Sequence, residues 1–294
     1  MDWGYFGPSD DDPRDVIGRA LELGVNHFDT SDVYGPFTNE ETVGRALEGR
    51  RDRAVIATKV GLEVGPNGGY PLPKNGRPEH LREAVDASLQ RLRTEVIDLY
   101  YLHRIDPEVP LEEQWGTLAS FVAGGKVRAL GLSEASITEL ETASAIHPVA
   151  ALQSELSLWT RDVLTNGILA WCAANDVAFV PFSPLGRGYL TGTVTAASFE
   201  GLDFRVDNPR FQQEALDANM AIVDIVRGVA ARHDATTAQV AIAWVLAQGA
   251  HVLPIPGTKR VKYVEENVAA ASLELTPEDL TELDDLPEVL GSRY

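Results

Sequence analysis

A single cysteine, Cys172, occurs in the 294 residues, which excludes an intramolecular disulfide and a cysteine-based zinc site. No apolar run approaches the roughly 18 residues of a membrane-spanning helix, and the opening residues MDWGYFGPSDDDPRD carry neither a basic leader nor an apolar signal core. Positive charge is scarce. Lys and Arg number 25 against 44 Asp and Glu, a formal net charge of −19, which argues against a nucleic-acid backbone or an anionic membrane as the main partner. No Pro-rich or Ser-rich linker and no low-complexity tract divides the chain, so one domain over residues 1–294 is expected. The combination describes a cytoplasmic protein of a reducing compartment.

What is present is a regular alternation. Apolar residues make up 44% of the chain, enough for a substantial core. Short β-branched or aromatic runs at 25–29, 54–59, 96–103, 127–131, 149–153, 177–182 and 251–255 are separated by stretches of helical period. Helix starts are expected at the capping boxes Thr38 with Glu41, Ser136 with Glu139 and Thr236 with Gln239, and at Pro13, Pro78 and Pro277. Gly24, Gly49 and Gly124 with Gly125 suit the stops. An ordered loop is expected over 186–208.

Such βα alternation fits a (β/α)8 barrel or an open doubly wound sheet. The open dinucleotide-binding sheet needs a Gly-x-Gly-x-x-Gly turn after its first strand, and none follows any strand here. A TIM-type barrel is therefore expected, but closure needs eight strands and the opening residues already read as the loop leading into the first helix. The first strand is expected to be missing from this chain, leaving a gap between the strands at 25–29 and 251–255.

Barrel enzymes carry their chemistry on the C-terminal ends of the strands. The polar residues there are Asp29, Lys59, His103, Ser133, Gln153, Ser183 and Thr258. Singly, each has a plain reading: a solvated lysine, an Asx turn, a core histidine bonded to backbone. Their shared rim argues otherwise, because the chain has only five lysines and one closes a strand beside an acid and a histidine from neighbouring strands. Tyr34, five residues after Asp29 in FDTSDVYG, must cover the same rim. A nearby cation favours the phenolate, so Lys59 held by Asp29 would tune Tyr34 for proton exchange with a carbonyl or alcohol oxygen.

These residues resemble those of the aldo-keto reductases. The likeness runs from about Tyr5 to the C-terminus and rests on GVNHFDTSDVYG, IATKVG, IDLYYLHRID, GKVRALGLSEAS, ALQSELSLWTR, VPFSPLGRGYLTG and LPIPGTKRVKYVEENV. The resemblance implies the (β/α)8 fold, NADP(H) as cofactor and a small-molecule carbonyl substrate. It places a catalytic tetrad on Asp29, Tyr34, Lys59 and His103, with Tyr34 as proton donor and His103 orienting the carbonyl. Ser133 and Gln153 would bond the nicotinamide carboxamide and Phe182 would stack on its ring. Ser183, Leu185 and Gly188 would cross the pyrophosphate. Gly257, Thr258 and Lys259 would hold the 2'-phosphate, and Glu266 and Asn267 the adenine.

Three positions depart from the family pattern. Glu134 stands where many members have Asn, and Tyr263 where many stack an arginine on adenine, so that task falls to Tyr263 or to Arg205. The third is the family's first strand with its N-terminal hairpin, both expected to be missing here. Lys259, Arg260 and Lys262 cluster where a helix should begin, which suits a phosphate although a solvated basic face is the plainer reading. Trp159, after a strand-end loop, is the candidate for the substrate pocket, whereas Trp115 reads as core. The expected function is NADPH-dependent reduction of an aldehyde or ketone. One alternative is a cofactor-binding regulatory subunit of the same fold, as in the potassium-channel β subunits. A metal-dependent barrel hydrolase would need more His and carboxylate ligands on the rim than His103 finds, and no metal site is expected.

Overall fold

The computed structural model describes residues 11–65, 72–195, 199, 203 and 205–293. Six parallel strands form one sheet in sequential order: β1 (His27–Asp29), β2 (Val55–Val60), β3 (Ile97–Leu102), β4 (Val127–Ser133), β5 (Ala151–Glu155) and β6 (Ala178–Phe182). Crossovers carry α1 (Pro13–Glu22), α2 (Thr38–Ala46), α3 (Pro78–Leu92), α4 (Leu111–Ala123), α5 (Ile137–Ser144), and α6 (Asp162–Thr165) with α7 (Ile168–Ala174). After the loop that follows β6 come α8 (Gln213–Arg232), α9 (Thr237–Leu246), α10 (Val261–Ala269) and α11 (Pro277–Asp284). The curled parallel sheet is the TIM-type arrangement, incomplete among the described residues.

The pleat explains which residues reach the site. Side chains alternate between the two faces of a strand. Ile56, Val60, Tyr100, Leu102, Leu130, Leu132 and Leu152 belong to the main core cluster, with helix residues such as Leu81, Val85 and Trp115. Ala57, Leu99, Tyr101, Ala151 and Val180 form a separate cluster on the other face. Continuing that second set by steps of two reaches Lys59, His103, Gln153 and Phe182. The sequence therefore puts small or apolar residues low on the inner face and, Phe182 apart, polar ones at its upper rim. A Cβ at Gly131 would run into the Tyr101 ring, so the glycine makes room for the largest inner side chain.

The seventh expected strand is shorter than the sequence suggests. Residues 251–255 meet β6 through an isolated parallel bridge between Phe179 and Val252. Three backbone hydrogen bonds continue the contact: Phe179 N–H to His251 C=O at 2.9 Å, Leu253 N–H to Phe179 C=O at 2.9 Å, and Ile255 N–H to Pro181 C=O at 3.1 Å. Pro254 and Pro256 supply no N–H on the opposite side, so this edge offers few donors to a further strand. Among the described residues no strand joins it to β1, and the space between them is continuous with the central cleft. Residues 1–7, the nearest chain to this gap in sequence, lie outside the described residues.

Helix starts follow the sequence with one correction. The capping boxes at Ser136 with Glu139 and Thr236 with Gln239 form, and Pro13, Pro78 and Pro277 take the first helical turn. Thr38 does not cap α2. Phe37 precedes the helix in a left-handed conformation without a side-chain cap, and the Thr38 hydroxyl turns back to the Gly35 carbonyl. A further capping box, Thr276 with Asp279, opens α11.

Two glycines test this packing. A Cβ on Gly44 of α2 would lie 2.6 Å from the Arg91 carbonyl oxygen and 2.7 Å from the Leu92 carbonyl carbon, both backbone. Gly44→Ala should cost about 1–3 kcal/mol through overpacking. Gly116, in α4, has nothing within 4 Å of its added Cβ, so Gly116→Ala should stabilise by about 0.4–1 kcal/mol. Urea midpoints measure both; a neutral Gly44→Ala would show that α2 and α3 can move apart freely.

Candidate active site

The strand ends bring four expected residues together. Lys59 is 0% exposed, and its ammonium donates to Asp29 Oδ1 and, at 2.7 Å, to the Thr30 carbonyl. The same nitrogen lies 4.9 Å from the centroid of the Tyr34 ring. Burial works against the charged lysine, but Asp29 and Tyr34 outweigh it and hold its pKa above the ordinary value. The second Asp29 oxygen accepts from Gln153 Nε2 at 2.8 Å, so β1, β2 and β5 are tied across the inner face.

His103 faces Tyr34 edge-on, with ring centroids 6.0 Å apart. Burial, then the cations of Lys59 and Arg104, push its imidazole well below the usual pKa, so the ring is neutral. Its Nδ1 lies 3.2 Å from Ser31 Oγ. Tyr34, His103 and Asp29 line the cleft, whereas Lys59 lies behind them.

Ser133, Gln153, Phe182, Ser183, Leu185 and Gly188 line the same cleft. Ser133 Oγ accepts from the Arg104 guanidinium at 2.9 Å. Ser183, at φ 53, and Gly188, at φ 95, turn the chain out of β6 into the loop. Gly257, Thr258, Lys259, Tyr263, Glu266 and Asn267 line its far end. Here some polar groups already have partners. Glu266 Oε1 accepts from the Thr236 hydroxyl at 2.8 Å, and the Asp11 carboxylate accepts from the Val261 amide at 2.8 Å, at the start of α10. Tyr263 is 42% exposed, open to a flat ring.

Three expected roles are recast by the packing. Trp159 is not a lining residue; it is 3% exposed and stacked on Tyr189 at 4.3 Å, with Phe211 edge-on at 5.2 Å. Arg205 borders the cleft but pairs with Asp203 and donates to the Arg187 carbonyl at 2.8 Å, which ties it to its own loop. Glu134 borders the cleft, but its oxygens are already taken: they accept from Ser154 at 2.6 Å and the Glu155 amide at 3.1 Å and meet Arg293 at 3.0 Å. Burial alone would raise the Glu134 pKa, but Arg293 and Ser154 outweigh it and hold it low.

Arg293 was not legible as a site residue. Besides Glu134 it reaches Glu155 Oε2 at 2.6 Å, an oxygen shared with Arg187 at 3.0 Å, and its guanidinium lies 5.6 Å from the Phe182 ring centroid. The Arg293 carbonyl accepts from Asn208 at 3.0 Å. The end of the chain is thus fastened to the loop after β6 and to the aromatic that closes that strand. Arg104 and the pair Ser31 and Asp32 were missed as well, although the last two stand inside the FDTSDVYG motif. No signal in the sequence pairs residue 293 with residues 134 and 155.

The Aldo/keto reductase family model matches residues 2–288. The chain belongs to the aldo/keto reductase family. A probable aldo-keto reductase 1 of Glycine max is 43% identical over 284 residues, covering 95% of this chain and 81% of the relative. The NADP(+) aldo-keto reductase yakc of Schizosaccharomyces pombe is 40% identical over 298 residues, with 98% and 87% covered. Among solved structures, the glycerol dehydrogenase of Gluconobacter oxydans superposes with a TM-score of 0.87 at 32% identity, over 97% of this chain and 88% of that one. An aldo-keto reductase of Klebsiella pneumoniae in complex with NADPH gives 0.72 at 26% identity, over 94% and 84%.

The buried pair gives a stability prediction for this family member. Lys59→Met leaves the Asp29 carboxylate, 9% exposed, without its cation. The loss should be about 3–5 kcal/mol, read as a lower urea midpoint near neutral pH. An unchanged midpoint would mean that Gln153 alone can hold that charge.

Proposed function

We propose that this chain interconverts a small carbonyl compound and its alcohol with NADP(H), with Tyr34 giving the proton to the carbonyl oxygen. The observation that carries the reading is the Tyr34 phenol standing over a fully buried, Asp29-held lysine beside a neutral histidine, all at the mouth of one cleft. Reduction of a carbonyl needs a proton at oxygen as well as a hydride at carbon. When bound, the nicotinamide supplies the hydride.

The chain's own groups fit such a cofactor. Phe182 offers an aromatic face beside Ser133 and Gln153, and the cleft continues past Ser183 and Gly188 to Lys259, Arg260 and Lys262 around the first turn of α10. Three cations at a helix N-terminus in a chain of net charge −19 suit a phosphate. Gln153 and Ser133 would hold the carboxamide; Tyr263 and Asn267 would meet the adenine. The NADP(+) and NADPH in the names of two relatives support the same assignment. At the reacting end, Lys59 stabilises negative charge on the Tyr34 oxygen as the proton leaves, and Asp29 keeps Lys59 charged and placed. His103 orients the carbonyl. The wall of the cleft includes Val33, Leu62 and Leu72, an apolar side that excludes water.

Tyr34→Phe should lower carbonyl reduction by at least ~10²-fold at saturating cofactor while cofactor affinity stays near the parent value. Turnover equal to the parent would remove Tyr34 from the mechanism. NADPH should bind more tightly than NADH, with an advantage that shrinks as salt is raised. Fluorescence titration at low and high salt checks this, and equal affinities at low salt would make Lys259, Arg260 and Lys262 a solvated helix face.

A further inference from the structure

Behind His103 lies a short buried chain that the proposed mechanism does not use. Ser31 Oγ, 0% exposed, is 3.2 Å from His103 Nδ1 and 3.0 Å from Asp32 Oδ1. Asp32 is 4% exposed and its Oδ1 also accepts from the Val33 amide at 2.7 Å. A serine hydroxyl carries one proton and cannot donate to both neighbours. An ionised Asp32 only accepts, so it takes the Ser31 proton; Ser31 Oγ then accepts from His103 Nδ1–H. The neutral ring has a single proton, and with that proton on Nδ1 the Nε2 atom is an acceptor. A carbonyl oxygen has no proton to give and needs a donor there.

We propose that Ser31 and Asp32 set which nitrogen of His103 carries the proton, so that protonation of Asp32 makes Nε2 the donor a carbonyl requires. Protonated Asp32 donates to Ser31, Ser31 donates to Nδ1, and the ring proton sits on Nε2. The two states differ by one proton. When it enters at Nε2, the Nδ1 proton passes to Ser31 and the Ser31 proton to Asp32, with no change in the charge of the ring. Ser31 and Asp32 are positioning residues, since neither faces the cleft.

The groups around this chain support its titration near neutral pH. Burial, then the charge of Glu40 from α2, raise Asp32 to about 7, opposed by the bonds from Ser31 and Val33 and by Arg91 of α3. Glu40 is itself held by Arg91 at 2.6 Å and Thr58 at 2.6 Å, and Tyr100 of β3 faces the same acids. His103 faces Lys59, Arg104 and Tyr34, and burial, then the two cations, keep it neutral, so Asp32 rather than the ring takes the proton.

The inference rests on the reading of His103 as the group that meets the carbonyl, and two measurements separate them. Nitrogen-15 NMR of histidine-labelled protein, with His103 assigned by its loss in His103→Gln, should show the proton moving from Nδ1 to Nε2 as pH falls through about 7. In Ser31→Ala and in Asp32→Asn the tautomer should not respond to pH, and Asp32→Asn should keep the proton on Nδ1. In parallel, kcat/KM for reduction should fall about tenfold per pH unit above that point in the parent, and this limb should vanish in both variants. A merely structural role would lower rates uniformly across pH. A parent tautomer that ignores pH, or a variant that follows the parent's curve, overturns the relay. A tautomer that follows pH while the rate does not would uphold the relay and overturn the catalytic reading of His103. Either variant suffices if the other does not fold.

Discussion

A fully buried lysine needs a fixed anion, and much of the site is arranged around meeting that demand. Removing an ammonium from water is expensive unless geometry and further hydrogen bonds compensate. Lys59 obtains both from Asp29 and the Thr30 carbonyl, and Asp29 in turn takes Gln153 from the far side of the inner face. The ends of β1, β2 and β5 are thereby held in one geometry. The Tyr34 ring closes over the lysine, and the cation is then the strongest positive charge near both the phenol and His103. One ion pair so underlies the placement of the Tyr34 ring and, after burial, adds to what keeps the histidine neutral.

A second group of charges does comparable work on the other side of the cleft. Glu134, just after β4, and Glu155, the last residue of β5, are neutralised by Arg187 from the loop after β6 and by Arg293 from the end of the chain. Two segments more than a hundred residues apart are brought to one buried point, with Phe182 beneath the Arg293 guanidinium. The aromatic proposed to meet the nicotinamide is therefore backed by charge as well as by packing. Removing either arginine leaves carboxylate charge without enough cation, which is why the end of the chain matters to a site built on strand ends.

Much of the inner face was legible in the sequence because a strand has a period of two. Once the runs ending in Asp29, Lys59, His103 and Gln153 are accepted as parallel strands, those side chains must share one rim. Boundaries drifted by one or two residues, as with 149–153 against Ala151–Glu155, since strand ends depend on pairing with neighbours. The run at 251–255 reads as a strand by composition, yet it makes only a bridge to β6, with Pro254 and Pro256 facing the unpaired side. Thr38 with Glu41 matches a capping box by spacing alone, but the turn before α2 points the threonine hydroxyl at Gly35 instead.

Local chemistry, then, was decided by the chain itself: which residues close the strands, which helices begin at Pro or a capping box, and the short distance from Asp29 to Tyr34. Partnership between distant side chains was decided only by the tertiary structure. Trp159 and Arg205 have the residue types of a pocket, but the ring is buried against Tyr189 and the guanidinium is bound to Asp203 and the Arg187 carbonyl. Glu134 reads as an altered cofactor contact until Arg293 is seen beside it. Ser31 and Asp32 carry no assigned role until His103 arrives from a different strand. Periodicity constrains the face on which a side chain lies, whereas a buried charge takes its meaning from whatever the fold packs against it.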